Sequence, residues 1–245
     1  MKRFLLSVMA LIVISAANAE TSPIVPMPSE FPDNIATYPF PKDVAWMKRV
    51  KLTNETAQKK AAEIKLVFDG DSITDGWQSR GKQVWQERYA QYGAFDFGIS
   101  GDQTQHVLWR LLQGQAKGLN PKLIAIMIGT NNLGGCKNEQ IAEGVKAIVE
   151  EYRKICPNAV ILLQGIFPRG NKAEDPNRQR IKDINKEIAK LDDGSKVIFI
   201  DFGDKFLEAD GTLSPDIMPD FLHPNEKGYQ IWADAIQPVI DKYLK

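Results

Sequence analysis

Five short apolar runs, at 66–68, 94–97, 123–128, 160–163 and 197–200, alternate with four stretches of helical periodicity, at 103–113, 137–155, 177–191 and 225–243. Runs this short and this uniformly apolar fit strands buried on both faces. Their alternation with helices is the pattern of a parallel sheet rather than of hairpins. The fold expected is therefore α/β: a three-layer α/β/α domain built on a doubly wound parallel sheet. In 177–191 the residues Ile181, Ile184, Ile188 and Leu191 share the inward face, and in 225–243 Pro238 limits the regularity of the closing helix.

The first run leads into KLVFDGDSITDGW at 65–77, where a strand ends and Asp69, Gly70, Asp71 and Ser72 follow at once. In open α/β sheets ligands bind outside the carboxyl ends of the strands, so a serine here stands where substrates go. Glycine, aspartate and serine are also ordinary turn formers, and this stretch alone does not separate the two readings. Two further strands end comparably. After Phe97 comes Gly98, Ile99, Ser100, Gly101, Asp102, and after Ile128 comes Gly129, Thr130, Asn131, Asn132. Glycine lets a backbone N–H approach a ligand, and asparagine offers an NH₂ donor. The Ser72 N–H, the Gly101 N–H and the Asn131 amide together form the donor set that a developing oxyanion needs.

The chain has two histidines. His106 lies inside a helical stretch, HVLWRL, where a histidine is more often packed than basic. His223 lies in Asp220, Phe221, Leu222, His223, Pro224, ahead of the last helix. A carboxylate three residues before a loop histidine can hold its Nδ1–H while Nε2 faces a nucleophile. Alone this pairing is a weak signal; beside a serine turn and two donor turns it is a strong one.

Residues 1–19 combine a basic start, an apolar segment and the ending Ala17, Asn18, Ala19, the pattern of a secretory leader, which predicts an exported protein, periplasmic or extracellular. Residues 20–60 form an N-terminal segment with a proline-rich lead-in at 21–41, and 61–245 form the expected catalytic domain. Loss of Lys2 and Arg3 from 31 basic against 31 acidic residues leaves a net charge of about −2, which offers nothing to nucleic acid. No stable membrane anchor is expected, because no segment approaches ~20 uninterrupted apolar residues. Cys136 and Cys156 flank the 137–155 helix. At ~1.5 Å per residue they stand roughly 25 Å apart, beyond the ~7 Å limit for a disulfide. Neither they nor any other spacing forms a zinc motif, and there is no G-x-x-x-x-G-K-S/T phosphate loop or G-x-G-x-x-G fingerprint. No metal or organic cofactor is called for.

With these residues in place the chain resembles the GDSL esterases and lipases, also called SGNH hydrolases: GDSIT at 70–74, GISGD at 98–102, GTNN at 129–132 and DFLH at 220–223 match the family's blocks. Within it, DQTQHVLWRL at 102–111, GVKAIV at 144–149 and FPRG at 167–170 look like the catalytic subunits of the platelet-activating factor acetylhydrolases. The resemblance implies a flavodoxin-like fold, Ser72 as nucleophile, His223 as base, Asp220 as its orienting acid, and Ser72, Gly101 and Asn131 as the oxyanion hole. It also implies a small acyl pocket, which Ile73 and Leu222 are expected to bound. Ile73 replaces the leucine of GDSL, and the leader departs from an intracellular acetylhydrolase. The reading is a serine esterase for short-chain, chiefly acetyl, esters of small molecules, lipids or glycans. An exported carbohydrate O-acetylesterase is the alternative, with a lysophospholipase or thioesterase behind it. An inert binding module is the reading from a different class, and the intact set of four blocks argues against it.

Overall fold

The computed structural model describes residues 32–245; the segment 1–19 expected to be a leader and the first part of the lead-in lie outside the described residues. Five strands, β1 (Leu66–Gly70), β2 (Ala94–Asp96), β3 (Leu123–Met127), β4 (Val160–Gln164) and β5 (Val197–Ile200), form one sheet in the order β2-β1-β3-β4-β5. Every pairing is parallel. Side chains leave a strand alternately to its two faces, and both faces are apolar. Val67, Ile124, Ile126, Ile161 and Leu163 join one core cluster. Leu66, Phe68, Leu123, Ala125, Met127 and Leu162 join the other.

Helices α4 (Thr104–Leu112), α5 (Asn138–Ile155) and α6 (Pro176–Ile188) cover the first face, placing Val107, Leu111, Ile141, Val145, Ile148, Ile181 and Ile184 against it. The second face is covered by α3 (Lys82–Arg88) and α7 (Glu226–Leu244). Its filling is aromatic: Trp77 lies 4.5 Å from Tyr229 and 4.9 Å from Trp232, centroid to centroid. This is the three-layer, doubly wound arrangement expected. The chain steps from β1 outward to β2, then returns to β3 on the other side of β1, so the crevice at the carboxyl ends opens around β1.

Three details differ from the sequence pattern. The helix in 177–191 ends at Ile188 and finishes in a 3-10 turn, Ala189–Leu191. The closing helix runs through Pro238 to Leu244; Pro238 is exposed, as is Asp234, whose carbonyl the proline leaves without its helical partner. The N-terminal segment contains a 16-residue helix, α1 (Val44–Lys59), capped by the Asp43 carboxylate on the Trp46 N–H. Only Trp46, Val50 and Ala57 of α1 are buried. Trp46 and Val50 pack on Ile99, with Trp109 beside them, which brings α1 onto the turn after β2.

Candidate active site

β1 ends where Gly70 passes so close to β3 that a Cβ there would lie 2.3 Å from the Met127 carbonyl oxygen. Glycine is required here for approach rather than for turning. Two residues later the chain enters the single-turn helix α2 (Ser72–Asp75), with Asp71 capping it through the Ile73 N–H at 2.9 Å. Ser72 is thus held at the head of a helical turn, above the end of β1.

The loop before α7 brings the second component. His223 Nε2 lies 2.9 Å from Ser72 Oγ, and His223 Nδ1 lies 2.6 Å from Asp220 Oδ2. The other Asp220 oxygen accepts the backbone N–H groups of His223 (2.8 Å) and Leu222 (3.2 Å). Partial burial opposes the Asp220 charge, but the bonds from the His223 ring and these N–H groups hold the carboxyl below its usual range. An ionised Asp220 keeps the imidazole proton on Nδ1 and leaves Nε2 to accept from the Ser72 hydroxyl. Phe221 makes the tight loop possible with φ +56°, a left-handed conformation that costs a bulky residue of order 1–3 kcal/mol. Its N–H bonds Met218 O at 2.8 Å and its carbonyl accepts from Gly170 N at 2.9 Å, which locks that conformation.

The donor groups stand at the ends of three adjacent strands. Neither the Ser72 N–H nor the Gly101 N–H has an acceptor among the described residues. Gly101 holds φ +76°, where a side chain would be strained. Asn131 follows β3, and its Nδ2 donates one proton to the Asp102 carbonyl at 2.9 Å, leaving the second proton for a ligand. Gln103 Nε2 fixes the Asn131 backbone carbonyl at 2.8 Å. The structure therefore joins Ser72, His223 and Asp220 directly, and links Asn131 to the Gly101 turn through Asp102.

Ile73 does not join them. It is 1% exposed and packs among the aromatic residues of the second face, so it has no surface to offer an acyl chain, contrary to the pocket expected of it. Leu222 is half-buried beside His223, at the edge of the same cluster. His106 is also turned inward. Its Nδ1 accepts the Gln103 N–H at 2.9 Å, its ring meets Phe40 and Trp46, and burial, aided by Lys42 and Arg110, pulls its pKa down to about 3.

Beneath the site lies a buried ionic network that the motifs alone do not reveal. The Arg110 guanidinium donates to Asp102 Oδ2 (2.9 Å), Asp69 Oδ1 (2.9 Å), Phe97 O (3.0 Å), Gly70 O (3.3 Å) and Gln115 Oε1. It ties the end of β1 to the end of β2 and to the donor turn. A charged residue three positions after Val107, on a helix whose inward face is apolar, is the signal that could have found it. Asp71 is a buried acid outside this network: its free oxygen has no partner among the described residues. Burial, outweighing the Ile73 N–H, pushes its pKa up to about 7, with Asp102 adding and Arg169 opposing. Cys136 and Cys156 are free, buried thiols. Among the described residues no three His, Cys, Asp or Glu side chains are grouped as metal ligands, and no helix is long and apolar enough to cross a membrane.

Comparison with known proteins bears on the family and the fold. The family model of the GDSL-like lipase/acylhydrolases matches residues 68–231. The rat platelet-activating factor acetylhydrolase IB subunit alpha1 is 36% identical over 189 residues, which is 77% of this chain and 80% of the relative. Among solved structures, a GDSL-like lipase from Bacteroides thetaiotaomicron superposes with a TM-score of 0.62 at 23% identity, covering 79% of this chain and 98% of its own. An acetylxylan esterase from Geobacillus stearothermophilus superposes with a TM-score of 0.58 at 23% identity, covering 72% and 94%. These two share the fold.

Proposed function

The chain belongs to the GDSL-like lipase/acylhydrolase family and is a carboxylic ester hydrolase, and we propose that it cleaves short-chain, chiefly acetyl, esters through an acyl-serine. The observation that carries this reading is the continuous chain of contacts from Ser72 Oγ through His223 to Asp220, at 2.9 and 2.6 Å. His223 Nε2 takes the hydroxyl proton as Ser72 Oγ bonds to the ester carbon. The oxygen that gains the negative charge is received by the Ser72 and Gly101 N–H groups and the Asn131 amide. As the intermediate collapses, the leaving alcohol takes the proton from His223. Water, deprotonated by His223, then attacks the acyl-serine, releasing the acid and restoring the hydroxyl.

The acetyl preference is supported by the relative's name, an acetylhydrolase. With Ile73 in the core, the acyl group is bounded on the histidine side by Leu222. The leader at 1–19 favours an exported enzyme, periplasmic or extracellular, and with it a second reading of the same chemistry, a carbohydrate O-acetylesterase. One panel tests both: acetyl, butyryl and octanoyl esters of one leaving group, acetylated xylo-oligosaccharides and an acetyl phospholipid, each with the purified protein. Acetyl over octanoyl is expected, and a preference for octanoyl overturns the acetyl reading. The carbohydrate and phospholipid arms decide the leaving group.

A further inference from the structure

In the turn Gly98–Asp102, nearly every backbone polar group is bonded. Gly98 N donates to Asp96 Oδ1 (2.7 Å), Ile99 N to Gly70 O (3.2 Å), Ser100 N to Asp75 Oδ2 (3.2 Å) and Asp102 N to Ile99 O (3.1 Å). Arg49 from α1 reaches the Gly98 carbonyl at 3.3 Å and pairs with Asp75, the residue that also receives the Ser100 hydroxyl at 2.6 Å. The Gly101 N–H is the donor left over. The same peptide unit carries the Ser100 carbonyl, and that oxygen accepts a bond from Lys42 Nζ at 3.0 Å. The ammonium also reaches Asp102 Oδ1 at 3.4 Å, beside the Trp46 indole N–H at 2.7 Å, and lies 3.1 Å from where a Gly101 Cβ would stand.

In a trans peptide the C=O and N–H point in opposite directions, so a cation fixed on the Ser100 oxygen sets the direction of the Gly101 N–H. A charge-assisted bond at the carbonyl end also polarises the amide and strengthens its N–H as a donor. We infer that Lys42 is a positioning residue for the oxyanion hole, acting through the Ser100–Gly101 peptide to aim and strengthen the Gly101 N–H. Lys42 lies on the segment leading into α1, outside the 68–231 family match, so this segment completes the donor set rather than merely preceding the domain. The inference rests on the reading of Gly101 as an oxyanion donor.

The test compares Lys42→Met, Lys42→Arg and Lys42→Cys, the last before and after aminoethylation, with Asn131→Ala measured in parallel and the wild type carried through the alkylation as control. Arg110 and Trp46 still bind Asp102 in these variants, so the fold is expected to persist, which thermal melting checks. Lys42→Met should lose roughly 10- to 100-fold in kcat with KM changed less than about threefold, since the charge matters only as the oxyanion forms. Aminoethylation of the cysteine variant, which rebuilds an ammonium at nearly the same reach, should recover most of kcat, and Lys42→Arg should retain part of it. A folded Lys42→Met at wild-type kcat beside a slowed Asn131→Ala overturns the inference and leaves the oxyanion hole standing. Wild-type kcat in both removes the oxyanion reading and the inference with it. A loss that the restored ammonium does not recover overturns it as well, assigning the effect to packing.

Discussion

Replacing Arg110 with methionine removes the cation that, among the described residues, faces both Asp69 and Asp102, each with its side chain wholly buried. Asp69 keeps bonds from Gln115 (2.6 Å), Tyr152 (2.5 Å) and the Gly70 N–H (2.8 Å), and Asp102 keeps Trp46 and Lys42. The charges are thus under-compensated rather than orphaned, and breaking such a buried pair costs about 3–5 kcal/mol. For a domain of this length that corresponds to a fall of roughly 6–20 °C in Tm. Burial already holds the Asp102 carboxyl above its usual range against the pull of Arg110, so losing that cation raises its folded pKa further above the unfolded one. Its protonated form stabilises the variant at low pH, and that contribution is lost as pH rises through the folded pKa, so the deficit should be larger at about pH 8 than at about pH 5. Urea unfolding of both proteins at the two pH values measures it. Arg110→Lys should recover little, because one ammonium cannot span both carboxylates and two strand-end carbonyls. A deficit below about 1 kcal/mol at the higher pH, unchanged at the lower, would refute the reasoning that this network holds the ends of β1 and β2 together.

Asp71→Asn keeps the oxygen that caps α2 but cannot ionise. The wild-type carboxyl, raised by burial to about 7, contributes stability below its unfolded pKa that is lost as pH climbs through the folded one. Stability of the variant relative to wild type should therefore grow between about pH 5 and pH 8, and a flat difference in urea midpoints would remove Asp71 from the linkage. His223→Ala should lower kcat at least roughly 10²-fold in a folded protein, because it removes the group 2.9 Å from the Ser72 hydroxyl. His106→Phe should keep most of kcat, since His106 is buried and its Nδ1 is spent on the Gln103 N–H; reversed effects would undo the base assignment.

The strands were legible because a parallel sheet covered on both faces demands uninterrupted apolar runs, and 123–128 and 160–163 are such runs. The site was legible because Ser72, Gly101 and Asn131 follow strand ends, where glycine and polar residues have no role in the core. α1 was not legible: it buries only three side chains and exposes Val44 and Leu52, so its apolar stripe is too thin to stand out. α3 is only seven residues long, below the reach of a periodicity argument. Ile73 was misplaced because adjacency to Ser72 says nothing about which side of a helical turn a side chain leaves; the first turn of α2 sends it into the aromatic core. The Arg110 network joins residues 41 positions apart, and Lys42 reaches its turn across 58, separations that no local motif encodes.

The proposed mechanism requires that an ester-derived acyl group reside on Ser72 during turnover. Mixing the enzyme with an activated acetyl ester and quenching in acid within one turnover should give a chain heavier by one acetyl group, mapped by peptide mass spectrometry to Ser72, and Ser72→Ala should acquire none while losing at least ~10³-fold in turnover. Acetyl on another residue, or full turnover by a folded Ser72→Ala, would contradict it.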